Sequence, residues 1–151
     1  MQRKYFLKTD RIGFSIWNQE DFDNAKVLWG DFEVTRYISL NGIWTIEDIK
    51  NRLHTEMTHQ SLYQVQYWPI FELSTNELIG CCGLRPYKKN EYEIGFHLRP
   101  MFWNKGYATE SAKAVIQYAF TILKAKKIIA SHHPSYQLDK YHCFCKEKGL
   151  K

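Results

Sequence analysis

The alternation of hydrophobic and polar positions predicts one strand and then two helices in the first third of the chain. Residues 11–17 alternate apolar and polar side chains, as in a strand with one buried face. Residues 18–29 open with polar side chains and continue with apolar ones at helical spacing, which predicts a helix. A second helix is predicted over 45–58, because Thr45 and Asp48 have the spacing of a capping box.

The middle of the chain predicts a meander of three antiparallel strands. Aromatic and β-branched residues dominate 64–73, a polar turn follows, and 78–84 returns as the hairpin partner. The third strand is predicted over 91–98, and its side chains alternate between two faces. One face is apolar and carries Tyr92, Ile94, Phe96 and Leu98. The opposite face carries Glu93, Gly95 and His97.

A long helix and a short strand follow the meander. Apolar residues recur at helical spacing over 109–123, and lysines cluster at the C-terminal end of this segment, where cations suit the helix dipole. Residues 128–131 have the composition of a short buried strand. This order of elements predicts an α+β fold with a mixed sheet. No repeat or flexible linker divides the chain, so we expect residues 1–151 to form a single domain.

Composition narrows the class of protein. Hydrophobic residues make up 44% and charged residues 25%, which is typical of a globular chain. No apolar run approaches the roughly 18 residues that span a bilayer, and the N-terminus turns polar too soon for a secretory signal. The adjacent pair Cys81-Cys82 and the pair Cys143-x-Cys145 are not spaced like a disulfide framework, so we expect a reducing cytoplasm. The net charge of +5 mildly favours an anionic partner.

The segment with the clearest chemistry is the strand 91–98, the loop 99–108 and the helix 109–123. Unpartnered N–H groups and aligned peptide dipoles make a helix N-terminus an anion site. Gly106 lets the backbone approach phosphate oxygens, and Lys105 adds a full charge. A glycine at a helix start is more often a simple cap, so the loop alone is a weak signal.

The motifs around this loop resemble a known family. Glu-Ile-Gly-Phe-His-Leu-Arg-Pro at 93–100 and Trp-Asn-Lys-Gly-Tyr-Ala-Thr-Glu at 103–110 resemble the acetyl-CoA loop of GNAT acetyltransferases, and more narrowly that of the RimJ/RimL branch. Asn104 stands where the branch pattern has a glycine, and Ser111 where it has an alanine; neither change removes a backbone donor. Further segments that match are 9–14, 20–21, 34–38 and 78–84. The resemblance covers roughly residues 9–135.

The resemblance implies a GNAT-type sheet, mostly antiparallel, and an N-acetyltransferase that uses acetyl-CoA as co-substrate. A primary amine, either a protein N-terminus or a small molecule, would attack the thioester directly. Strand 91–98 would splay from strand 128–131 and pair with the pantetheine arm, and an N–H near Phe96 or His97 would stabilise the oxyanion. The residues that the resemblance assigns to the cofactor are Phe96, His97, Leu98, Arg99, Trp103, Asn104, Lys105, Gly106, Tyr107, Ala108 and Thr109.

The attacking amine must lose a proton, and the first candidate for the general base is Glu93. It lies on the acyl-bearing strand, where partial desolvation would raise the pKa of a carboxylate. The alternative is a solvated glutamate or an ion-pair partner of Arg85 or Lys88. His97 shares the face and is a second candidate for the base, although a strand histidine more often only forms hydrogen bonds.

The C-terminal segment departs from the family pattern. The resemblance implies a hydroxyl residue that protonates the leaving thiolate, three positions after an asparagine of the family pattern. If Tyr136 takes the asparagine position, Asp139 takes the position of the hydroxyl residue, and the hydroxyl is missing. Tyr141 is then the candidate for the proton donor. Family domains continue into a final strand pair, whereas this sequence stops at Lys151. We therefore expect the pair to be missing and a sheet edge to be exposed, which a homodimer would cover.

Other signals in the sequence have simpler explanations. The histidines and cysteines of 132–133 and 142–145 lack zinc-ligand spacing, so no metal is expected. Trp44, Trp68 and Trp103 are candidates for a substrate cleft, although core filling is the commoner role. Two functions compete with the transferase: a CoA-binding domain with lost or weak catalysis, and a basic module that binds RNA or a ribosome surface. The second lacks a stacking platform, so a nucleic-acid partner is not expected, and no membrane partner is expected either.

Overall fold

In the computed structural model, residues 3–39 and 41–130 are described. The strands are Leu7–Lys8 (β1), Ile12–Phe14 (β2), Tyr67–Glu72 (β3), Leu78–Lys88 (β4), Glu91–Leu98 (β5) and Lys127–Ala130 (β6). The helices are Phe22–Trp29 (α1), Phe32–Thr35 (α2), Ile46–Tyr63 (α3) and Tyr107–Thr121 (α4). Two short 3₁₀ turns, Gln19–Asp21 and Pro100–Phe102, precede α1 and α4.

The six strands form one sheet in chain order from β1 to β6. Each neighbouring pair is antiparallel except β5 and β6, which α4 connects in parallel. The parallel register runs from Glu91 opposite Lys127 to Ile94 opposite Ala130. The prediction of an α+β fold with a mixed, mostly antiparallel sheet is therefore confirmed.

Helices cover the sheet on both faces, because the strands alternate two apolar sets. The α4 face holds Ile94, Phe96 and Leu98 of β5 together with Val115 and Ile116 of α4. The opposite face packs against α1 and α3, and the members of this second core are Trp17, Ala25, Leu28, Trp29, Val34, Ile49, Leu53, Tyr67, Phe71, Leu78 and Cys81. Glu93 and His97 alternate with the first set, so they belong to the α1 and α3 face.

Local sequence signals predict the start of α3 correctly, whereas the predicted end of α3 and the predicted start of α4 differ from the structure. Thr45 and Asp48 form the predicted capping box at the start of α3. The helix continues past the predicted end at Thr58 to Tyr63, where the polar side chain of Gln60 accepts from the buried Trp68 indole at 3.0 Å. Helix α4 begins at Tyr107, two residues before the predicted start, so the loop that precedes it is shorter than expected.

Several predictions concern residues outside the described ranges. They are the role of Tyr141 as proton donor to the thiolate, the missing final strand pair, the exposed sheet edge that a homodimer would cover, and the expectation that 132–133 and 142–145 bind no metal. Within the described ranges, no helix is long and apolar enough to cross a membrane. The same ranges hold no cluster of three potential metal-ligating side chains.

Candidate active site

The loop before α4 forms a cradle of backbone N–H groups. Asn104 and Gly106 both have positive φ angles, 61° and 84°, which turn the chain sharply into the helix. The first backbone hydrogen bond of α4 runs from the Glu110 N–H to the Gly106 carbonyl at 3.0 Å, and no side chain caps the helix. The amides of 107–109 therefore have no acceptor within the helix, and they form a site suited to an anion.

Two motif side chains fasten this helix start to the sheet. The Glu110 carboxylate accepts from the Thr9 hydroxyl at 2.5 Å, the Arg11 N–H at 3.0 Å and Arg11 Nε at 2.7 Å. Partial burial opposes ionisation, but these hydrogen bonds hold the pKa of Glu110 below its usual value. The Tyr107 hydroxyl donates to Glu72, which raises the pKa of Tyr107 and lowers that of Glu72. The cradle therefore has a rigid support.

Arg11 is a site residue that sequence reasoning missed. Its guanidinium carbon lies 4.0 Å from the centre of the Tyr107 ring, and its Nη2 would lie 3.4 Å from a Cβ placed on Gly106. The loop therefore has two neighbouring cations, Arg11 and the exposed Lys105. Arg11 belongs to the turn before β2, about a hundred residues earlier in the chain, so no local pattern linked it to the loop.

The backbone of β5 directs alternate residues to its two neighbours. The Asn90 carbonyl accepts from the residue before β6 at 2.7 Å, whereas the Arg99 N–H donates to β4 at 2.9 Å. By alternation, Phe96 and Leu98 direct their backbone groups to the β6 side, where the family pattern places the thioester arm. The His97 backbone faces β4 instead, so the geometry does not support its N–H as a cofactor contact.

The side chains assigned to the cofactor divide into structural and exposed ones. Arg99 donates to the Leu78 carbonyl at 2.8 Å, and the Trp103 indole donates to the Leu98 carbonyl at 2.8 Å. Phe96, Leu98 and Tyr107 have buried side chains, so only their backbone groups can contact a cofactor. Those exposed at the loop surface are Asn104, Lys105 and Thr109, and the side chain of Ala108 is half-buried. Five of these side chains are therefore structural, and four remain at or near the loop surface.

The three tryptophans considered for a cleft lie in different places. Trp68 is buried in the core on the α4 face and is excluded from a cleft on the other face. Trp44 is partly buried on the opposite face, with its ring stacked on Trp29 at a centroid distance of 6.2 Å. Trp103 contacts the ring of Tyr37 at 6.4 Å. The segment around Tyr37 therefore borders the loop.

The face of β5 that carries Glu93 adjoins a row of two glycines. In register, Tyr67 of β3 lies opposite Gly83 of β4, which lies opposite Gly95 of β5. Because neither glycine has a side chain, the Tyr67 ring reaches across to β5, and a Cβ on Gly95 would lie 2.4 Å from the Tyr67 hydroxyl. Arg85 lies opposite Glu93 in the same register, so a cation adjoins the candidate base.

His97 is held neutral, with one ring nitrogen already occupied. Its Nδ1 accepts from the Trp29 indole at 3.1 Å and lies 3.6 Å from Cys81 Sγ. Burial, followed by the positive charges of Arg52 and Arg85, holds the pKa of His97 well below its usual value. The ring proton then resides on Nε2, and the only basic nitrogen is Nδ1. This arrangement does not support His97 as the general base.

We expect His97 to make stability depend on pH. The unfolded imidazole takes up a proton near its ordinary pKa of 6.5, whereas the folded one resists protonation, so stability is complete above that pH and falls as pH drops toward the folded pKa. The slope for one group is at most about 1.4 kcal/mol per pH unit. Urea unfolding at pH 7.5, 6.5 and 5.5 should show a shallower slope for His97→Gln, and equal slopes would contradict the prediction.

A buried charged cluster adjoins Tyr67, and sequence reasoning did not identify it. Glu56 is fully buried, and its carboxylate accepts from Arg52 Nε at 2.6 Å, Arg85 Nη2 at 3.2 Å and the Tyr67 N–H at 2.8 Å. Burial raises the pKa of Tyr67 to about 12 despite the opposing charges of the two arginines. The sequence signal was the spacing of Arg52 and Glu56, one helical turn apart.

The fold and the site together define the chain as an α+β domain with a turn of unpaired backbone amides between β5 and α4. Comparison with known proteins identifies the class. The sequence model of the acetyltransferase (GNAT) domain family matches residues 11–136. YoaA of Bacillus subtilis, described as an uncharacterized N-acetyltransferase, is 31% identical over 127 residues, which are 81% of this chain and 70% of that protein.

Solved structures agree with this result. A GNAT-family acetyltransferase from Bacillus anthracis superimposes with a TM-score of 0.74 at 27% identity, over 94% of this chain and 80% of that one. The ribosomal L7/L12 α-N-protein acetyltransferase RimL, solved with coenzyme A, superimposes with a TM-score of 0.75 over 90% of this chain and 78% of that one. Since RimL is only 10% identical, it shows the shared fold alone.

The chain belongs to the GNAT acetyltransferase family. The resemblance seen in the loop motifs is therefore confirmed, and the chain is an acetyltransferase enzyme.

Proposed function

We propose that this enzyme transfers an acetyl group from acetyl-CoA to a primary amine, which is either a protein N-terminal α-amine or a small molecule. The observation that carries the proposal is the amide cradle of 107–109 beside a strand whose Phe96 and Leu98 backbone groups point to the β6 side. An anion site and a strand edge at this spacing suit a ligand with a diphosphate at one end and an amide-rich arm at the other.

In this proposal the diphosphate of CoA binds the backbone amides of 104–108 together with that of Thr109, the last amide of the cradle. Lys105 and Arg11 supply positive charge on two sides of Gly106, and they strengthen the binding of an anion. The pantetheine arm lies along the β6 side of β5. The thioester oxygen accepts from a backbone N–H of Phe96 or Leu98, which stabilises the negative charge that develops in the transition state.

Glu93 is proposed as the general base. It accepts a proton from the acceptor ammonium, directly or through water, and the neutral nitrogen attacks the thioester carbon. The C–N bond forms, the C–S bond breaks, and CoA leaves as a thiolate that takes up one proton. Tyr141, the sequence candidate for that proton donor, lies outside the described residues.

Calorimetric titration with CoA, followed by acetyl-transfer assays on a panel of amines, tests the proposal. Micromolar CoA binding and acetylation of at least one amine are the expected results. CoA binding without acetylation of any amine would favour the domain with lost catalysis. Failure to bind CoA would overturn the proposal, and the RNA-binding alternative would then be tested by titration with single-stranded and ribosomal RNA.

Gly106→Val is expected to weaken CoA binding at least tenfold. A side chain at φ +84° is strained by about 1–2 kcal/mol, and relief of that strain turns the 107–109 amides away from the diphosphate. Calorimetric Kd values for the wild type and the variant check this result, with urea unfolding as the control for overall stability. A folded variant with an unchanged Kd would show that the diphosphate does not bind at this turn.

A further inference from the structure

Glu72 brings a negative charge to the turn before α4, and the acetyl-transfer reaction does not use it. Glu72 is the last residue of β3, and its carboxylate accepts a hydrogen bond from the hydroxyl of Tyr107, the first residue of α4. This hydrogen bond is the largest cause of the lowered pKa of Glu72, and the charges of Lys105 and Arg11 also lower it. Glu72 is therefore an ionised carboxylate close to the proposed site of an anionic cofactor.

Charge by itself makes Glu72 unfavourable for such a cofactor. The charged side chains that interact around the turn include the cations Arg11 and Lys105 and the carboxylates Glu72 and Glu110. Like charges repel, so each carboxylate opposes the binding of a diphosphate. Glu110 compensates by fastening α4 to Thr9 and Arg11. We expect a comparable structural contribution from Glu72.

The Tyr107 ring connects Glu72 to Arg11. The ring is buried and lies edge-on to the Phe102 ring at a centroid distance of 5.6 Å, and its hydroxyl is held by Glu72. The guanidinium carbon of Arg11 lies 4.0 Å from the centre of the same ring. In that position Arg11 Nη2 reaches the turn, 3.4 Å from where a Cβ on Gly106 would lie. A shift of the ring would therefore move the guanidinium relative to the turn.

We propose that Glu72 is a positioning residue for the cofactor: it holds the Tyr107 ring, and the ring holds the Arg11 guanidinium beside the diphosphate. This inference rests on the proposed binding of CoA, and it adds a residue that touches neither the cofactor nor the reacting atoms. The net effect of Glu72 is tighter binding of CoA. A well-placed guanidinium forms charge-assisted hydrogen bonds to phosphate oxygens, and these outweigh the repulsion from the Glu72 carboxylate.

The sign of the change in CoA affinity tests the proposal. If Glu72 acted through its charge alone, its removal would tighten the binding of CoA. In Glu72→Ala we instead expect the calorimetric Kd of CoA to rise by about fivefold or more. The KM for acetyl-CoA should rise with it, while kcat stays within about twofold of the wild type. Glu72→Gln keeps an oxygen that accepts from Tyr107, so its Kd should lie well below that of Glu72→Ala.

Double-mutant cycles test the route from Glu72 to Arg11. Tyr107→Phe keeps the ring and removes only the hydroxyl, so it should raise the Kd of CoA about as much as Glu72→Ala. The two changes combined should cause no further loss. In an Arg11→Gln background, Glu72→Ala should no longer raise the Kd. Tyr107→Phe also serves as the test variant if urea unfolding shows that Glu72→Ala does not fold.

Two control variants separate other contributions of this region. Thr75→Ala removes a hydroxyl that also donates to Glu72, at 2.9 Å, and it leaves the bond from Tyr107 in place. Asp10→Asn removes an exposed carboxylate that lines the same groove as Gly106. Both variants should leave the Kd of CoA within about twofold of the wild type.

The outcomes distinguish this inference from the proposed function. An unchanged or lower Kd in Glu72→Ala, or an equal rise in Thr75→Ala, would overturn the positioning role. A rise that persists in the Arg11→Gln background would overturn it as well. In each of these cases, binding of CoA by the wild type would still support the proposed function. Failure of the wild type to bind CoA would instead remove the proposed function, and this inference with it.

Discussion

Glu93→Gln is expected to lower kcat by about 10²–10⁴-fold, the usual contribution of a general base. The amide cannot accept the proton that the acceptor ammonium must lose, while its shape preserves the packing beside Tyr67 and Arg85. Because the proposed diphosphate site lies at the start of α4, the Kd of CoA should stay within about twofold, well inside one tenfold step of 1.4 kcal/mol. Single-turnover acetyl transfer and calorimetry measure the two quantities.

Glu91→Gln is a matched control for this prediction, since it removes a half-buried carboxylate from the first residue of the same strand. Its activity should remain close to that of the wild type. The pH profile gives an independent check, because a profile that loses its acidic limb in Glu93→Gln is specific to a proton acceptor. Activity of Glu93→Gln near the wild-type level would remove Glu93 from the role of base.

Replacing Glu56 by alanine is expected to lower the free energy of unfolding by about 3–5 kcal/mol, the range for breaking a buried ion pair. Three donors lose their acceptor at once: Arg52 Nε, Arg85 Nη2 and the Tyr67 N–H. Two cations would then share one aromatic ring without the buried negative charge of Glu56. Urea unfolding of the wild type and the variant at pH 7.5 measures the loss.

Glu33→Ala is the control for Glu56→Ala. Glu33 also pairs with an arginine one helical turn away, but both side chains are about half exposed, and the N–O distance is 3.3 Å. Surface pairs contribute about 0–1 kcal/mol, so the loss should be several times smaller. Similar losses for the two variants would show that burial does not determine the strength of the Glu56 cluster.

The loop and its helix were the most predictable part of the site, because their signals are local. A strand, a proline and a glycine before a long apolar stripe all fall within residues 91–123, and they predicted the cradle at the correct turn. The face of β5 that holds Glu93 and His97 followed from the alternation of side chains in a strand. The backbone direction of Phe96 and His97 did not follow, because it depends on which neighbour each edge of β5 pairs with.

The buried cluster of Glu56, Arg52 and Arg85 could not be predicted from the sequence, for another reason. Arg52 and Glu56 look like an ordinary helical ion pair, and nothing local distinguishes a buried pair from an exposed one. Only the packing of α3 against β3 and β4 brings Arg85 and the Tyr67 ring to the same carboxylate. The two glycines that let Tyr67 cross the sheet lie on separate strands, and their alignment is a matter of register.

The sequence by itself determined the succession of strands and helices, the family and the position of the glycine turn before α4, since each depends on neighbours within a few residues. The tertiary structure decided which of the predicted side chains remain available to contact a ligand. It placed Arg11 beside Gly106, occupied His97 Nδ1 with Trp29 and buried Glu56 between two arginines. These contacts join distant segments, so their energies depend on strand register and helix packing, which no local pattern specifies.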